Sequence, residues 1–580
     1  MSQLSVDKQW LALLHMRKHG NGYLSEVDDP DFFLSKSPSD PLAELRETIG
    51  YFQRDDQAWC RFPARGMWLQ KMGVQNKPFI DCEGLRQWRS AFPVGKLVLV
   101  FPSVYLNSAS SMFGHTFLRF ENTTGDGVSQ LGKAVSYYAD MNEEGASFDY
   151  IYKGLTGGFS GVIDVSPFYE MSRKYIENED RDIWEYNLVY SEPQIRFLID
   201  HLWEIRGHHF DYYFFDENCS YRIIDILDVV TPTYDMRENF HVYALPVETI
   251  RLLDQKGLIN GKMYKPSSTK LLKRSIAKLD NVGQSEVKAL LEQQRAGIKS
   301  ASSDDMAVAL QYLQADIHKN GVFDDKDLEV ADLSAALLAR AGMDDDQRDS
   351  STPTPDHITA ISPDVGHLNR RLRVMSGQLD GRSFNDYEWR ETFHDYVDPL
   401  PGYENGMKLS GPGVTMRQFS DRWELEKINF IDVGSLNAVD GWFNPLSWNA
   451  GVMRQREWID GSHVLVNSAD IKTGFTTSVL GWRYFLLGGG GLAYSSHINS
   501  GLTLKDVATI GALYQDNDWS LMANVTWHDY PSAGVPAVRT ADFALGRPVG
   551  RNLSLQFRFQ EDSAGGEKYR ALSTGIAWYY

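Results

Sequence analysis

The stretch FFDENCSYRIIDIL contains the residue that is best suited to catalytic chemistry, a cysteine that directly follows an asparagine. Asparagine is a favoured N-cap residue, so Asn218 predicts that a helix begins at Cys219. A thiol in the first turn of a helix lies at the positive end of the helix dipole, which lowers its pKa and favours the thiolate. Cys219 is therefore a candidate nucleophile. The alternative is that it simply begins the apolar face of a buried helix.

A nucleophilic thiol needs a base, and the sequence offers histidines in two places. His115 lies in SSMFGHTFLRF, whose alternation predicts a strand, beside Gly114, which permits the close approach of another backbone. His208 and His209 lie nearer to Cys219 along the chain, where a helix is expected to end and where a solvated or capping role is equally reasonable. A histidine on a strand can face a cysteine at a helix start, so His115 is the first candidate.

The region that must bring these residues together predicts a mixed α+β domain over residues 93–265. GKLVLVFPSVYL is an apolar, strand-like run, and GKAVSYYADM, FSGVIDVSPFYEM and RDIWEYNLVY are further strand candidates. EPQIRFLIDHLWEIRGHHF has helical periodicity. Residues 1–92 are expected to form a helical N-terminal domain, because one periodic stretch ends at Gly20 and DPLAELRETIGYF has a proline just inside its start.

The C-terminal half changes from helical to alternating patterns. Residues 266–365 predict a helical connector followed by the acidic linker MDDDQRDSSTPTPD. Residues 366–580 predict an antiparallel β-barrel of about 10–12 strands, because stretches such as WSLMANVTW and LSLQFRFQ alternate apolar with polar residues. One apolar and one polar face is typical of an outer-membrane barrel with a polar lumen. The alternative is a soluble barrel or sandwich, because sequence does not tell which face points outward.

Composition favours an envelope or soluble protein over a nucleic-acid-binding one. The formal net charge of −19 opposes phosphate binding. The first twenty residues carry charges within a short apolar run and do not resemble a signal peptide, and we expect that the sequence begins after a cleaved one. Neither a CxxC pair nor histidines at metal-ligand spacing occur, so no metal and no cofactor are predicted.

The chain has three cysteines, and two of them are close in sequence. A disulfide between Cys60 and Cys82 would close a short loop and stabilise the fold by roughly 3 kcal/mol in the chain-entropy model. This pairing would leave Cys219 as the free thiol. The alternative is that all three cysteines are reduced.

Three stretches carry a resemblance to a known family. FPSVYLNSASSMFGHTFLRF, ENEDRDIWEYNL and FDYYFFDENCSYR, in this order, resemble the bacterial Lnb N-terminal periplasmic domain family. The order of the histidine and the Asn-Cys pair is also similar to the circularly permuted papain-like fold, which includes lecithin retinol acyltransferase and NlpC-type relatives. The N-terminal region and the barrel-like tail resemble companion domains of proteobacterial members. The resemblance implies a cysteine acyltransferase with Cys219 as nucleophile and His115 as base.

A papain-type site usually has a third polar residue that orients the histidine. It is expected on the strand AVSYYADMN, where Ser136 is our prediction and Tyr138 and Asn142 are alternatives. The oxyanion of the reaction is expected to bind backbone N–H groups at the start of the Cys219 helix, with Asn218 as a side-chain donor.

These observations predict an outer-membrane barrel with a periplasmic catalytic domain. The resemblance implies that an acyl chain passes from a phospholipid, through a Cys219 thioester, to an amine or hydroxyl acceptor such as a lipoprotein N-terminus. An NlpC-type cell-wall peptidase or amidase, or a lipid hydrolase, would use the same pair of residues. A third possibility is a non-catalytic envelope protein that binds lipid or a partner.

Overall fold

The computed structural model describes residues 1–106, 112–122, 132–140, 153–154, 156–214, 216–240, 243–292, 360–459, 462–498, 501–531 and 534–580. Contacts divide the chain into two compact units, Met1–Ala360 and Ile361–Tyr580. The predicted acidic linker lies outside the described residues. None of the helices in the described ranges is both long and apolar enough to cross a bilayer.

The N-terminal region is helical apart from one β-hairpin. Its helices are α1 (Lys8–Leu13), α2 (Pro41–Arg54), α3 (Ala58–Arg61), α4 (Pro63–Lys71) and α5 (Glu83–Ser90). The helix expected to reach Gly20 ends at Leu13, and β1 (Met16–His19) pairs with β2 (Gly22–Ser25). Gly20 lies in the two-residue hairpin turn with a φ of +56°, a conformation that favours glycine. The glycine therefore marks a turn between strands and not a helix end.

A disulfide fastens the helical N-terminal region. Cys60 in α3 and Cys82, which directly precedes α5, are bonded with their Cα atoms 5.6 Å apart. The indole N–H of Trp203 donates to the main-chain oxygen of Cys60 at 2.7 Å, which ties the bridge to the rest of the unit. Cys219 is a free, buried cysteine.

A seven-stranded antiparallel sheet forms the centre of this unit, in the order β8-β6-β5-β4-β3-β7-β9. Its strands are β3 (Lys96–Pro102), β4 (Phe117–Glu121), β5 (Lys133–Ala139), β6 (Phe159–Pro167), β7 (Ile183–Leu188), β8 (Phe210–Tyr212) and β9 (Ile259–Lys265). The helices that follow α5 are α6 (Phe168–Ser172), α7 (Glu192–Ile205), α8 (Cys219–Asp228), α9 (Pro246–Gln255), α10 (Ser268–Lys278) and α11 (Asn281–Glu292).

Both faces of this sheet are covered, which explains the unbroken apolar run of β3. Leu97 and Leu99 belong to a large core that also contains buried residues of α7 and α8. Val98 and Val100 point to the opposite face, into a smaller core with Phe168 of α6. A π-helical turn, Arg173–Asn178, follows α6 on that second face and contributes Tyr175 to the smaller core. The start of β4 therefore lies between two layers of apolar side chains.

The second unit is a closed antiparallel barrel of 12 strands, as the alternating sequence predicts. The ring consists of β10 (Arg371–Leu379), β11 (Arg382–Arg390), β14 (Gly413–Gln418), β15 (Trp423–Ser435), β17 (Ser447–Ile459), β18 (Ser462–Val479), β19 (Trp482–Tyr494), β20 (Leu502–Gln515), β21 (Ser520–Asp529), β22 (Val538–Gly550), β23 (Leu553–Ala564) and β24 (Glu567–Tyr579). Pairing of β24 with β10 closes it. Short strands β12 (Phe393–His394), β13 (Met407–Ser410) and β16 (Ala438–Val439) pair beside the ring.

The two faces of the barrel differ in chemistry. Large apolar side chains such as Leu486 and Leu504 are exposed on the outside, with 57% and 61% of their surface accessible. Charged side chains such as Lys427, Asp542 and Arg558 line an internal cavity of about 410 Å³. An apolar exterior around a polar lumen is the arrangement that a lipid bilayer requires.

An inward-folded segment, residues 393–406, contributes Asp395, Tyr396 and Val397 to the wall of this cavity. The Asp398 carboxylate binds Arg371 at 2.5 Å and Arg390 at 2.7 Å, and it accepts a hydrogen bond from the Tyr579 hydroxyl. Strands on the other side of the ring also bind the segment, through Arg483, Gln515 and Ser520. Asp398 is thus the anchor of a segment that reaches across the barrel.

We expect Asp398→Ala to destabilise the barrel by about 3–5 kcal/mol, because the change removes a carboxylate that two buried arginines share. The free energy of unfolding in urea, followed by tryptophan fluorescence in lipid vesicles, measures this. Asp421→Ala, in an exposed turn of the same barrel, is the control and should change the free energy by less than about 0.5 kcal/mol. Equal effects of the two changes would show that Asp398 is not an anchor.

Candidate active site around Cys219

The helix α8 begins at Cys219, as the sequence predicts, because Asn218 caps it. The Asn218 side-chain oxygen accepts hydrogen bonds from the N–H groups of Ser220 at 3.0 Å and Tyr221 at 3.2 Å. Its amide nitrogen donates to the main-chain oxygens of Phe214 and Ala244. Both amide hydrogens are therefore used within the fold, and the expected role of Asn218 as an oxyanion donor is corrected to helix capping.

The Cys219 thiol is enclosed, with 3% of the residue exposed. Its hydrogen-bond partners are the main chain and hydroxyl of Thr116 and of Ser220, and these two hydroxyls are 3.0 Å from each other. Burial raises the pKa of the Cys219 thiol, although the hydrogen bonds from Thr116 and Ser220 oppose that rise. The sequence predicted a lowered pKa from the helix dipole alone. In the folded chain desolvation outweighs the dipole, so the resting sulfur is a neutral thiol.

His115 lies two residues before β4 and not on the strand itself. Gly114 precedes it with a φ of +97°, and a Cβ atom at Gly114 would collide with the Phe101 ring. The main-chain N–H of His115 donates to the Pro102 oxygen at 3.2 Å, which extends the pairing of β4 with β3. His115 directly precedes Thr116, whose main chain and hydroxyl contact the Cys219 sulfur. The residue that follows His115 therefore holds the Cys219 sulfur, and Tyr175 both packs against the His115 ring and interacts electrostatically with Cys219.

Ser136 on β5 is the polar neighbour of the His115 ring. Its hydroxyl oxygen is 3.1 Å from Nε2 of His115, and both residues are buried. Of the alternatives, Tyr138 is exposed on the same strand, and Asn142 lies outside the described residues. The structure therefore brings His115 and Ser136 together.

The His115 imidazole is neutral in this environment. Burial lowers its pKa to about 3, and the positive charges of Arg181 and Lys174 act in the same direction. The Tyr175 ring lies against it, with the ring centroids 5.7 Å apart. A neutral imidazole is able to accept a proton, as a general base must.

The other candidate histidines have different partners. Nδ1 of His208 is 2.6 Å from the Asp29 carboxylate, and the main-chain oxygen of His209 accepts a hydrogen bond from Asp28. Both interactions attach β8 to the segment that follows the N-terminal hairpin. They serve the packing of the N-terminal region.

A buried charge cluster lies behind α8, and the sequence patterns above did not predict it. Arg222 binds Asp225 at 2.7 Å and Glu26 at 3.1 Å, and its guanidinium lies 4.0 Å from the Phe210 ring. Asp225 also contacts His15 in a short hydrogen bond. The stretch CSYRIIDILD indicates such a cluster, because an arginine and an aspartate three residues apart interrupt an otherwise apolar helix. The cluster attaches the N-terminal hairpin region to the helix that carries Cys219.

Among the described residues, His367, His394 and Asp398 could bring ligand atoms within 4.8 Å of one another. They lie in the barrel unit, where the Asp398 carboxylate already binds two arginines. Two guanidinium groups beside the same carboxylate disfavour a further cation. This group is better described as an ion-paired core than as a metal centre.

Three family models match the chain. The Lnb N-terminal periplasmic domain matches residues 85–256, and two domains of unknown function, DUF7843 and DUF7840, match residues 2–72 and 360–579. No curated protein matches.

Solved structures similar to part of this chain are bacterial porins and outer-membrane proteins. The NanC porin is 9% identical with a TM-score of 0.25, and 36% of this chain and 100% of that chain are covered. The KdgM porin in complex with disordered oligogalacturonate is 9% identical with a TM-score of 0.23, and 36% of this chain and 99% of that chain are covered. A loop-deletion mutant of OmpT, an outer membrane protein of Vibrio cholerae, is 8% identical with a TM-score of 0.21. The match covers 36% of this chain and 97% of that chain.

The barrel surface and the family match give the location of the protein. The barrel presents apolar side chains outward and charged ones inward, as an outer-membrane barrel does. The matched domain is a periplasmic one. The protein is thus a bacterial envelope protein with an outer-membrane barrel and a periplasmic domain. Residues 85–256 thus match the Lnb N-terminal periplasmic domain, the family that the three sequence stretches resemble.

Proposed function

We propose that the protein is an envelope cysteine acyltransferase that moves an acyl chain from a phospholipid to an amine or hydroxyl acceptor. The observation that carries the proposal is the junction at the start of β4, where Thr116 binds the Cys219 sulfur and its neighbour His115 binds Ser136. A thiol, a neutral imidazole and an orienting hydroxyl are the groups that acyl transfer through a thioester needs. The lipoprotein N-terminus is the acceptor that the family resemblance suggests.

In the first half-reaction the Cys219 sulfur attacks the ester carbonyl of the donor. The thiol proton passes to Nδ1 of His115, since Nε2 is hydrogen-bonded to Ser136, the C–S bond forms, and the ester C–O bond breaks. His115 returns the proton to the departing alcohol oxygen, which leaves a lysophospholipid. In the second half-reaction the acceptor nitrogen or oxygen attacks the thioester, His115 takes its proton, and the thiolate leaves and is protonated again.

The oxyanion of each tetrahedral intermediate needs a hydrogen-bond donor. Asn218 already holds the N–H groups of Ser220 and Tyr221. We therefore assign the oxyanion to the main-chain N–H of Cys219, at the positive end of the α8 dipole.

The surroundings favour a lipid ester over a cell-wall peptide. Phe117 and Tyr175 flank the His115 ring, and Cys219 and His115 are almost completely buried. A peptidase would need an open polar cleft for an extended peptide. Hydrolysis remains the outcome when water takes the place of the acceptor, and the product of the second half-reaction distinguishes the two activities.

Cys219→Ala should abolish the release of lysophospholipid from vesicles of phosphatidylethanolamine and phosphatidylglycerol, because no thioester can form. Cys219→Ser should retain the fold and also lose activity, because a serine hydroxyl ionises far less readily than a thiol. Mass spectrometry of the lipid extract measures the product. Release by the alanine variant at the wild-type rate would refute the proposal.

His115→Ala should lower the rate of lysophospholipid release by about 10²–10⁴-fold, the usual contribution of a general base. His209→Ala, which removes an exposed histidine from the same domain, is the control and should leave the rate within about twofold. If the two variants behave alike, His115 is not the base.

Ser136→Ala should reduce kcat by about five- to tenfold with KM unchanged, since a single hydrogen bond that orients the imidazole is worth about 1 kcal/mol. Initial rates at varied phospholipid concentration give both constants. An unchanged kcat would remove Ser136 from the site, and a raised KM alone would place it in lipid binding.

A further inference from the structure

A row of three side chains on the second face of the sheet ends at His115. Arg181, two residues before β7, places its guanidinium carbon 5.0 Å from the centre of the Tyr175 ring. The other neighbour of Tyr175 in this row is the His115 ring, at 5.7 Å between centroids. The Arg181 side chain is 1% exposed, so its charge is shielded from water by the same core that encloses the histidine.

The same arginine also holds the backbone that carries His115. Its Nη2 donates to the Pro102 oxygen and its Nε to the Ser103 oxygen, both at 2.8 Å. The Pro102 oxygen is also the acceptor for the main-chain N–H of His115, at 3.2 Å. Arg181 and His115 thus share one carbonyl. Arg181 also forms an ion pair with Glu179 at 2.8 Å and lies 5.8 Å from the centre of the Tyr105 ring.

We propose that Arg181 is a positioning residue for His115, which fixes the histidine backbone through the Pro102 carbonyl and keeps a buried positive charge beside the imidazole through Tyr175. The inference rests on the proposed function and deepens it. In a Ser-His-Asp triad a carboxylate stabilises the imidazolium. Here a neutral hydroxyl and a cation surround the ring, so the site favours the neutral imidazole at rest.

This arrangement has a consequence for proton transfer. The imidazolium that forms when His115 takes the thiol proton lies near a fixed positive charge, which makes it a stronger acid. It therefore returns its proton readily to the departing alcohol oxygen, and the resting site does not form a thiolate–imidazolium pair. The pKa of His115, which burial and then Arg181 and Lys174 lower, agrees with this reasoning.

The charged and titratable groups around His115 come from three elements among the described residues. Tyr175 and Lys174 lie on the π-helical turn, and Cys219 lies at the start of α8. Arg181 and its partner Glu179 precede β7. On the β5 side the ring meets the uncharged hydroxyl of Ser136. Removal of the Arg181 charge should therefore raise the pKa of His115. As the pH falls, the neutral imidazole that acts as the base should then become protonated at a higher pH than in the wild type.

The experiment compares three variants of the full-length protein in vesicles of phosphatidylethanolamine and phosphatidylglycerol. Arg181→Gln keeps N–H donors and removes the charge, whereas Arg181→Lys keeps the charge. Lys174→Glu reverses a nearby charge at an exposed position, where the fold should tolerate it. Arg196→Gln, in an exposed ion pair of α7, is the control.

The acid limb of the rate of lysophospholipid release should move to higher pH by about one unit in Arg181→Gln and in Lys174→Glu. It should stay within about 0.3 units in Arg181→Lys and in the control. An unshifted limb in Arg181→Gln, or equal loss of rate without a shift in Arg181→Gln and Arg181→Lys, would overturn the proposal and leave Arg181 a purely structural residue.

A second readout does not depend on the proposed function. The pKa of His115, measured from the pH dependence of its ring NMR signals in full-length protein with ¹³C-labelled histidine in detergent micelles, should rise by about one unit in Arg181→Gln and stay within about 0.3 units in Arg181→Lys. If wild-type protein releases no lysophospholipid but this rise is found, the proposed function fails and the role of Arg181 stands. If the His115 titrations of wild type and Arg181→Gln coincide, the role of Arg181 fails.

Discussion

The arrangement around Cys219 depends on one constraint, the removal of a thiol and an imidazole from water at the same place. Each group alone would be partly ionised near neutral pH if it were exposed. Burial raises the pKa of the thiol and lowers that of the imidazole, so both are neutral in the resting fold. Under the proposed function, the charged form develops only while an ester carbonyl is present to receive the sulfur. A buried neutral pair of this kind is protected from reaction with water-soluble electrophiles.

The rest of the first unit serves to hold this pair in its enclosed position. Asn218 fixes the first turn of α8, and buried contacts of Arg222 with Glu26 and of Asp225 with His15 fix its next turn against the N-terminal hairpin region. Breaking a buried pair of this type costs about 3–5 kcal/mol, so the N-terminal region contributes substantially to the position of the cysteine helix. The residues matched by DUF7843 therefore have a structural role in the site although none of them contacts the sulfur in the described structure.

Local patterns in the sequence were sufficient to predict the helix that begins at Cys219 and the barrel strands. The Asn-Cys pair specifies a cap, and alternation such as that of LSLQFRFQ specifies a strand with two different faces. What the sequence did not contain was the outcome of competing long-range effects. The dipole of α8 argued for a thiolate, but burial by residues distant in the chain reverses that expectation. The pattern around Gly20 predicts a helix end, but glycine is favoured both at helix ends and in hairpin turns. The pairing of Met16–His19 with Gly22–Ser25 makes this position a hairpin turn.

The measurement that tests this account most directly is the detection of an acyl-thioester on Cys219. Protein incubated with phospholipid vesicles and quenched in acid is digested, and the peptide that contains Cys219 is analysed by mass spectrometry with and without neutral hydroxylamine, which cleaves thioesters. The account predicts a fatty-acyl mass on this peptide that hydroxylamine removes and that is absent from His115→Ala. An unmodified Cys219 peptide in protein that releases lysophospholipid, or an acyl group on a different residue, would contradict it.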